Sequence, residues 1–387
     1  MGRLRLTRGR PFAMLMDSFE AENFRSLKHL KLEKLARVNL LVGKNNSGKT
    51  SVLEGMSLFA GTNAADWLDR IDDERHLSAP AFDSLFYQFD TAQPITLEAD
   101  IMPSHDKAHV LPNYLVRVNI SALPNERTRN ALPLPGLLEE EERQREKDGL
   151  TEPLKRIKIT AFKPNSPVDD TASTVYSAQK RLKERNQRRA EQRKSLSRPA
   201  FGHWLGTTVS ITELYHHIEY LQIRKQDSLL LKLVQQIDPR IGKIVLASEN
   251  AIYFDLGAGF PDLLPINLVG DGVQRLLAVA AAMAHTPGAV AFIDEIDNGL
   301  HYSALRILWK GILQAAREYD VQIVATTHSA EALRHLTWVL NEEENASYRA
   351  DVAAYTLIRA DNDTVRSYRH DYEQLDYALE RGIEVRN

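Results

Sequence analysis

The run Gly43-Lys44-Asn45-Asn46-Ser47-Gly48-Lys49-Thr50 constrains this chain more than any other stretch, because it fits G-x-x-x-x-G-K-[ST] in full. Six residues, Gly43 to Gly48, curl so that their amides point inward, and the two glycines allow backbone angles a side chain would block. The apolar run Val38 to Val42 precedes the loop, and a helical pattern with Val52, Leu53, Met56, Leu58 and Phe59 on one face follows it. Strand, loop and helix together aim a positive helix end at an anion. Gly43, Asn45, Asn46, Ser47, Gly48, Lys49, Thr50 and Ser51 are therefore the candidate nucleotide contacts. Lys49 is placed to reach the β- and γ-phosphates of ATP, and the Thr50 hydroxyl to ligate Mg2+.

A second apolar strand, Ala289 to Ile293, ends in Asp294 and Glu295. In a parallel sheet that end lies beside the phosphate loop, so Asp294 is expected to hold the magnesium. Glu295 is the candidate to orient or deprotonate an attacking water. The next buried strand, Val321 to Thr326, runs into Thr327, His328 and Ser329, which brings His328 toward the γ-phosphate or the water. A third feature, Gly270-Asp271-Gly272, opens a helix running to Ala284. Its bare amides repeat the anion-binding arrangement, and a second such helix end suggests a nucleotide shared between two protomers.

Between these motifs the texture changes. Residues 94 to 122 alternate like antiparallel strands with one solvated face, and Phe19 to Leu32 reads as a hairpin. Arg156 to Phe162 is a short strand, Thr174 to Leu196 is helix-like, Thr212 to Ile237 is one amphipathic helix stopped by Pro239, and Ala251 to Leu256 is a strand. Helices over Ser303 to Glu318 and Ala330 to Leu340 alternate with the buried strands, which argues for a parallel sheet. The boundaries expected are a disordered basic extension over 1–13, a first ATPase segment over 14–135, a helical lobe over 136–285 and a closing ATPase segment over 286–387.

Composition excludes several classes. The chain has no cysteine, so disulfide scaffolds, thiolate metal sites and cysteine nucleophiles are ruled out. The longest apolar run, Leu276 to Ala284, is too short to span a bilayer, and Met1 to Arg10 carries four arginines with no apolar stretch behind them. A cytoplasmic protein without a membrane partner is expected. The net charge of −3 is neutral as regards nucleic acid, because charge is patchy: Lys180 to Lys194 holds eight basic residues against two acidic ones. That stretch is read either as a polyanion site, for DNA or an acidic phage protein, or as a solvated helix facing Glu139 to Glu142.

The order of these parts resembles the ABC-type ATPase head of SMC-like and recombination-repair proteins. Within that class, Glu22-Asn23-Phe24-Arg25-Ser26-Leu27, Gly270-Asp271-Gly272 and Ile293-Asp294-Glu295-Ile296-Asp297-Asn298-Gly299-Leu300-His301 are similar to the OLD (overcoming lysogenization defect) family, whose heads occur in bacterial anti-phage systems. The resemblance implies a two-lobed α/β P-loop head with a mixed central sheet, an antiparallel β subdomain and a helical second lobe. It implies that Gly270 to Gly272 closes on the γ-phosphate of an opposing subunit, that Asp297 to Gly299 couples the two sites, and that Arg25 and Gln88 lie near nucleotide, Gln88 at the metal. Glycine stands at Gly270 where the family has serine, which predicts slow hydrolysis. The chain ends too soon after His328 for the Toprim nuclease domain of OLD nucleases, so a nuclease effector is expected on another polypeptide. No long coiled-coil arm is expected either.

Three functions stay open at this level. The first is an ATPase whose nucleotide-driven homodimerisation, with further assembly, controls a separate effector. The second is a DNA-repair ATPase clamping duplex. The third is a scaffold that binds ATP without hydrolysing it.

Overall fold

The computed structural model describes residues 14–60, 67, 82–103, 114–123, 156–162, 172–177, 202–206, 209–360 and 362–386. The extension over 1–13, Glu139 to Glu142 and the basic stretch Lys180 to Lys194 lie outside the described residues.

A hairpin of β1 (Met14–Phe24) and β2 (Leu27–Leu32) leads to β3 (Val38–Val42), then through the glycine loop to α1 (Lys49–Ala60). Strands β4 (Ile95–Pro103), β5 (Tyr114–Leu123), β6 (Arg156–Phe162) and β7 (Ala172–Ser177) then extend an antiparallel sheet in the order β2-β1-β4-β5-β6-β7. Next come β8 (Gly202–Leu205), α2 (Ile211–Ile223), α3 (Ser228–Ile237) and a small antiparallel sheet of β9 (Lys243–Ala247), β10 (Ala251–Asp255) and β11 (Leu264–Pro265). The last third alternates α4 (Asp271–His285), β12 (Val290–Ile293), α5 (Tyr302–Glu318), β13 (Gln322–Thr327), α6 (Ala330–Asn341), β14 (Val352–Arg359), β15 (Val365–His370) and α7 (Tyr372–Glu380).

The second large sheet runs β15-β14-β3-β13-β12-β8. Its five strands from β14 to β8 are mutually parallel and β15 is antiparallel at the edge. Both faces of this sheet are covered, which is why its strands read as unbroken apolar runs. Alternate residues serve two cores. Val38, Leu40, Ala291, Ile293, Ile323 and Ala325 face the helices α2 to α7. Leu41, Val290, Phe292, Val324, Ala353 and Tyr355 face α1 and the antiparallel sheet. Gln322 joins the two layers: its Nε2 donates to Met16 O and Ala36 O, and Met16 N–H donates to its Oε1.

The expected fold class holds: an α/β head with a mixed central sheet, an antiparallel β subdomain and a helical portion over α2 to α4. Several details differ. The helix expected over Thr212 to Ile237 is two. Lys225 takes φ 58°, its N–H bonds Gln222 O, and the Gln226 N–H reaches back to Leu221 O. This is a Schellman stop, which satisfies the last carbonyls of α2 before α3 begins. The helix-like reading from Thr174 also fails at its start, since residues to Ser177 form β7 and pair antiparallel with β6. Sheet pairing crosses the division expected after residue 135, because β6 and β7 extend the N-terminal sheet and β8 joins the central one. Strands β8, β14 and β15 and helix α7 carried no expectation. Among the described residues, no helix is long and apolar enough to cross a membrane.

Candidate active site

Parallel alignment carries the ends of β3, β12 and β13 to one edge of the central sheet, with β13 between the other two. The glycine loop leaves β3 there. Gly43 has φ 154°, and a Cβ on it would lie 2.6 Å from Ser47 Oγ and 2.7 Å from Leu357 O. Gly48 has φ 97°, and a Cβ there would meet Leu27 Cδ2 at 2.7 Å. Only glycine fits either position. Asn46 bends the crown of the loop with φ 66°.

Beneath this loop, Lys49 Nζ donates to Gly43 O and Lys44 O, both at 2.8 Å. Burial pulls the Lys49 pKa below its ordinary value, opposed by the charges of Asp294 and Glu295. Thr50 and Asp294 meet although 244 positions separate them: Thr50 Oγ1 lies 3.1 Å from Asp294 Oδ2 and 3.3 Å from Oδ1. Glu295 adopts φ 47° just beyond β12. His328, at the end of β13, places Nδ1 3.9 Å from Glu295 Oε1.

These groups line one cavity of about 640 Å³. Of the residues expected at the nucleotide, Asn45, Asn46, Gly48, Lys49, Thr50, Ser51, Asp294, Glu295, His328, Arg25 and Gln88 all border it. Gly43 and Ser47 support the loop from behind. Arg25 ion-pairs through Nε with Glu54 Oε2 of α1 at 3.2 Å and donates to Ser84 Oγ at 2.7 Å. Gln88 has φ 52° and donates its amide to Tyr87 Oη.

Gly270, Asp271 and Gly272 do not border the cavity. Gly270 and Asp271 are exposed at the start of α4, with open space around a Cβ built on Gly270. A Cβ on Gly299 would lie 3.4 Å from Asp271 Cβ, so the Asp297 to Gly299 turn packs on this corner. Thr327 Oγ1 donates to Asp297 Oδ1 at 2.6 Å and ties the same turn to β13.

Other side chains at the cavity carried no expectation: Ser26, Ser84, Phe86, Phe89 and Thr326. Ser26 and Thr326 sit inside quoted motifs, yet nothing in their spacing marks them as facing inward. Two arginines act from behind. Arg275 of α4 is buried and donates through Nη2 to Asp294 O at 2.7 Å. Arg359, at the end of β14, donates through Nη2 to Ser26 O and Asn46 O and pairs with Asp363, which accepts from Tyr87 Oη.

A triphosphate and its divalent cation fit this donor set. Lys49, partly buried, turns its ammonium to the Gly43 and Lys44 carbonyls beside the cavity, a positive charge that a bound anion would engage. Thr50 and Asp294 supply oxygen donors alone, the chemistry Mg2+ selects.

Fold and site define an ABC-like P-loop ATPase head. The chain belongs to the AAA-domain family described as "AAA domain, putative AbiEii toxin, Type IV TA system", whose pattern matches residues 128–334; residues 14–98 match an "AAA ATPase domain". It therefore carries an ATPase domain of a kind that binds ATP, typically with Mg2+. An "ATP/GTP phosphatase" of Helicobacter pylori is 23% identical over 86% of this chain and 90% of its own length. A segment of the mouse "ATP-binding cassette sub-family A member 7" is 36% identical over 22% of this chain and 4% of that protein. Among solved structures, the Smc head domain with an extended coiled coil, bound to the C-terminal domain of ScpA, from Pyrococcus furiosus covers 96% of this chain and 100% of its own. Its TM-score is 0.53 and its identity 11%, so that likeness concerns the fold alone.

Proposed function

We propose that the chain is a Mg2+-dependent ATP hydrolase whose heads pair through the nucleotide. The observation that carries this is the meeting of Thr50 and Asp294 beside Lys49, with Glu295 and His328 at the open side of the same cavity. Lys49 neutralises the β- and γ-phosphates once it leaves the Gly43 and Lys44 carbonyls. Thr50 and Asp294 hold the cation, which supplies charge neutralisation at the transferring phosphoryl group. Gln88 is assigned to the same cation and Arg25 to the nucleotide. Glu295 takes the proton of the attacking water, and His328 orients it.

Gly270 to Gly272 stands outside the cavity, with Gly270 and Asp271 exposed. In this reading it closes the site of a second copy, and Asp297 to Gly299 transmits that closure. Resemblance of the motifs to the OLD family extends the proposal: the closed dimer senses a trigger and restrains or releases a separate effector, a nuclease, in anti-phage defence. The missing serine at Gly270 makes hydrolysis slow, as a switch requires.

The test is phosphate release by the wild type, Glu295→Gln and Lys49→Ala, with dimerisation followed by light scattering. Glu295→Gln is expected to lose at least about 100-fold in rate while accumulating as an ATP-bound dimer, and Lys49→Ala to lose nucleotide binding. Equal, near-zero release by wild type and Glu295→Gln defeats the hydrolase reading and leaves an ATP-bound scaffold.

A further inference from the structure

The corner that follows β12 is held from two sides by side chains that the hydrolysis scheme does not use. On one side stands Thr326, only 1% exposed although it borders the cavity. Its Oγ1 donates to Asp294 Oδ1 at 2.6 Å and accepts the Glu295 N–H at 2.8 Å. Its own carbonyl accepts the Ile296 N–H at 3.0 Å. One threonine thus engages three successive residues, and its hydroxyl spends its single proton on the carboxylate. On the other side Arg275, 3% exposed, donates to Asp294 O and Glu295 O through Nη2 and to Gly206 O through Nη1.

Between these clamps Glu295 sits at φ 47°, a left-handed conformation that is unfavourable for a residue with a side chain. The enforced turn has two results. It separates the directions of the Asp294 and Glu295 carboxylates, so that adjacent residues can serve different partners. It also leaves Asp294 Oδ2, which accepts from Thr50 Oγ1 at 3.1 Å, as the oxygen turned toward the Thr50 side where a cation would sit, while Oδ1 is tied to Thr326.

We infer that Thr326 is a positioning residue: its hydroxyl chooses which Asp294 oxygen meets the divalent cation and fixes the backbone turn that points Glu295 into the cavity. This rests on the ATPase reading above. A hydroxyl bonded to a metal-ligating carboxylate is worth about 10–100-fold in metal affinity or activity elsewhere. Thr326→Val keeps the shape and removes the hydroxyl, leaving Asp294 Oδ1 with only the longer 3.3 Å bond from Thr50 and the Glu295 N–H without its acceptor. Thr326→Ser restores both.

The experiment measures Mn2+ binding by electron paramagnetic resonance on the full chain with a non-hydrolysable ATP analogue. It adds the Mg2+ concentration for half-maximal hydrolysis, and the affinity for a fluorescent ATP analogue in EDTA. For Thr326→Val we expect Mn2+ affinity weakened by about 10-fold or more and a matching rise in the Mg2+ requirement. Nucleotide affinity in EDTA should stay unchanged, because the glycine loop is untouched. Serine should return both cation readouts to near wild type. Should the valine protein not fold, Thr326→Ala supplies the same comparison. Wild-type cation affinity in a folded variant lacking the hydroxyl overturns the inference. A wild-type protein that binds no Mn2+ with the analogue overturns instead the ATPase reading on which it stands.

Discussion

His285 ends α4 among aromatic rings, with the His217 ring centroid at 4.6 Å and that of Tyr220 at 4.4 Å, while the Arg224 guanidinium lies 4.3 Å over Tyr220. Burial, with a smaller push from Arg224, lowers its pKa from 6.5 to about 4. The folded protein therefore keeps His285 neutral where the unfolded chain has already taken a proton. Between pH 6.5 and 4 the unfolded state binds more protons, so stability falls as pH falls through that window, by on the order of 3 kcal/mol at its end. Melting temperatures from pH 7.5 to 4.5 should show this decline, and His285→Gln should flatten it. An equally steep decline in the variant would assign the effect to other groups. The residue scale also carries the strain of the site: Gly43 and Gly48 are glycines because neighbouring atoms stand where a Cβ would be, whereas Asn46 and Glu295 tolerate positive φ because their surroundings hold them there.

Among the elements, the break between α2 and α3 is the most instructive. A lysine occupies the left-handed position that glycine favours, and Lys225 is exposed there. Lys225→Gly removes the Cβ penalty while adding freedom to the unfolded chain, and the first effect is the larger. A gain of roughly 0.5–1 kcal/mol is expected in urea unfolding, with the slope unchanged; a loss would mean that the lysine stem packs usefully. The same break shows what sequence pattern conveys. Buried strands and the helices between them were legible because two covered faces demand continuous apolar runs and one covered face demands a 3.6-residue period. The stop at Lys225 was not, because a Schellman turn built on lysine carries no glycine to mark it. Strand β8 was missed for another reason: four residues, Gly202–Leu205, are too few for periodicity, and their partner β12 lies far along the chain. At the site, Lys49, Thr50, Asp294 and Glu295 were legible from spacing. Thr326, Arg275 and Arg359 were not, because they act on backbone atoms or on another side chain, and such roles leave no spacing to read.

For the whole molecule, the exposed corner Gly270 to Gly272 and the open cavity are two unlike surfaces on one chain, which suits a symmetric pair with two nucleotides between its members. Asp271→Arg adds bulk and reverses charge at that corner without touching the cavity. In the Glu295→Gln background it should abolish the ATP-dependent dimer in light scattering while nucleotide affinity per monomer stays within about threefold. A persisting dimer would remove the corner from the interface.

The position of β3 has a consequence for synthesis. This strand is buried on both faces and bonded along both edges, by β13 on one side and β14 on the other. Asn39 of β3 donates to Ile323, 284 positions further along. A ribosome adding about 5–20 residues per second needs roughly 15–60 s to deliver those neighbours. For that interval the nascent chain carries an apolar strand with two unsatisfied edges, a target for trigger-type holdases and a hazard in crowded polysomes. The phosphate loop it leads into stays incomplete until β13 and β14 have both been made.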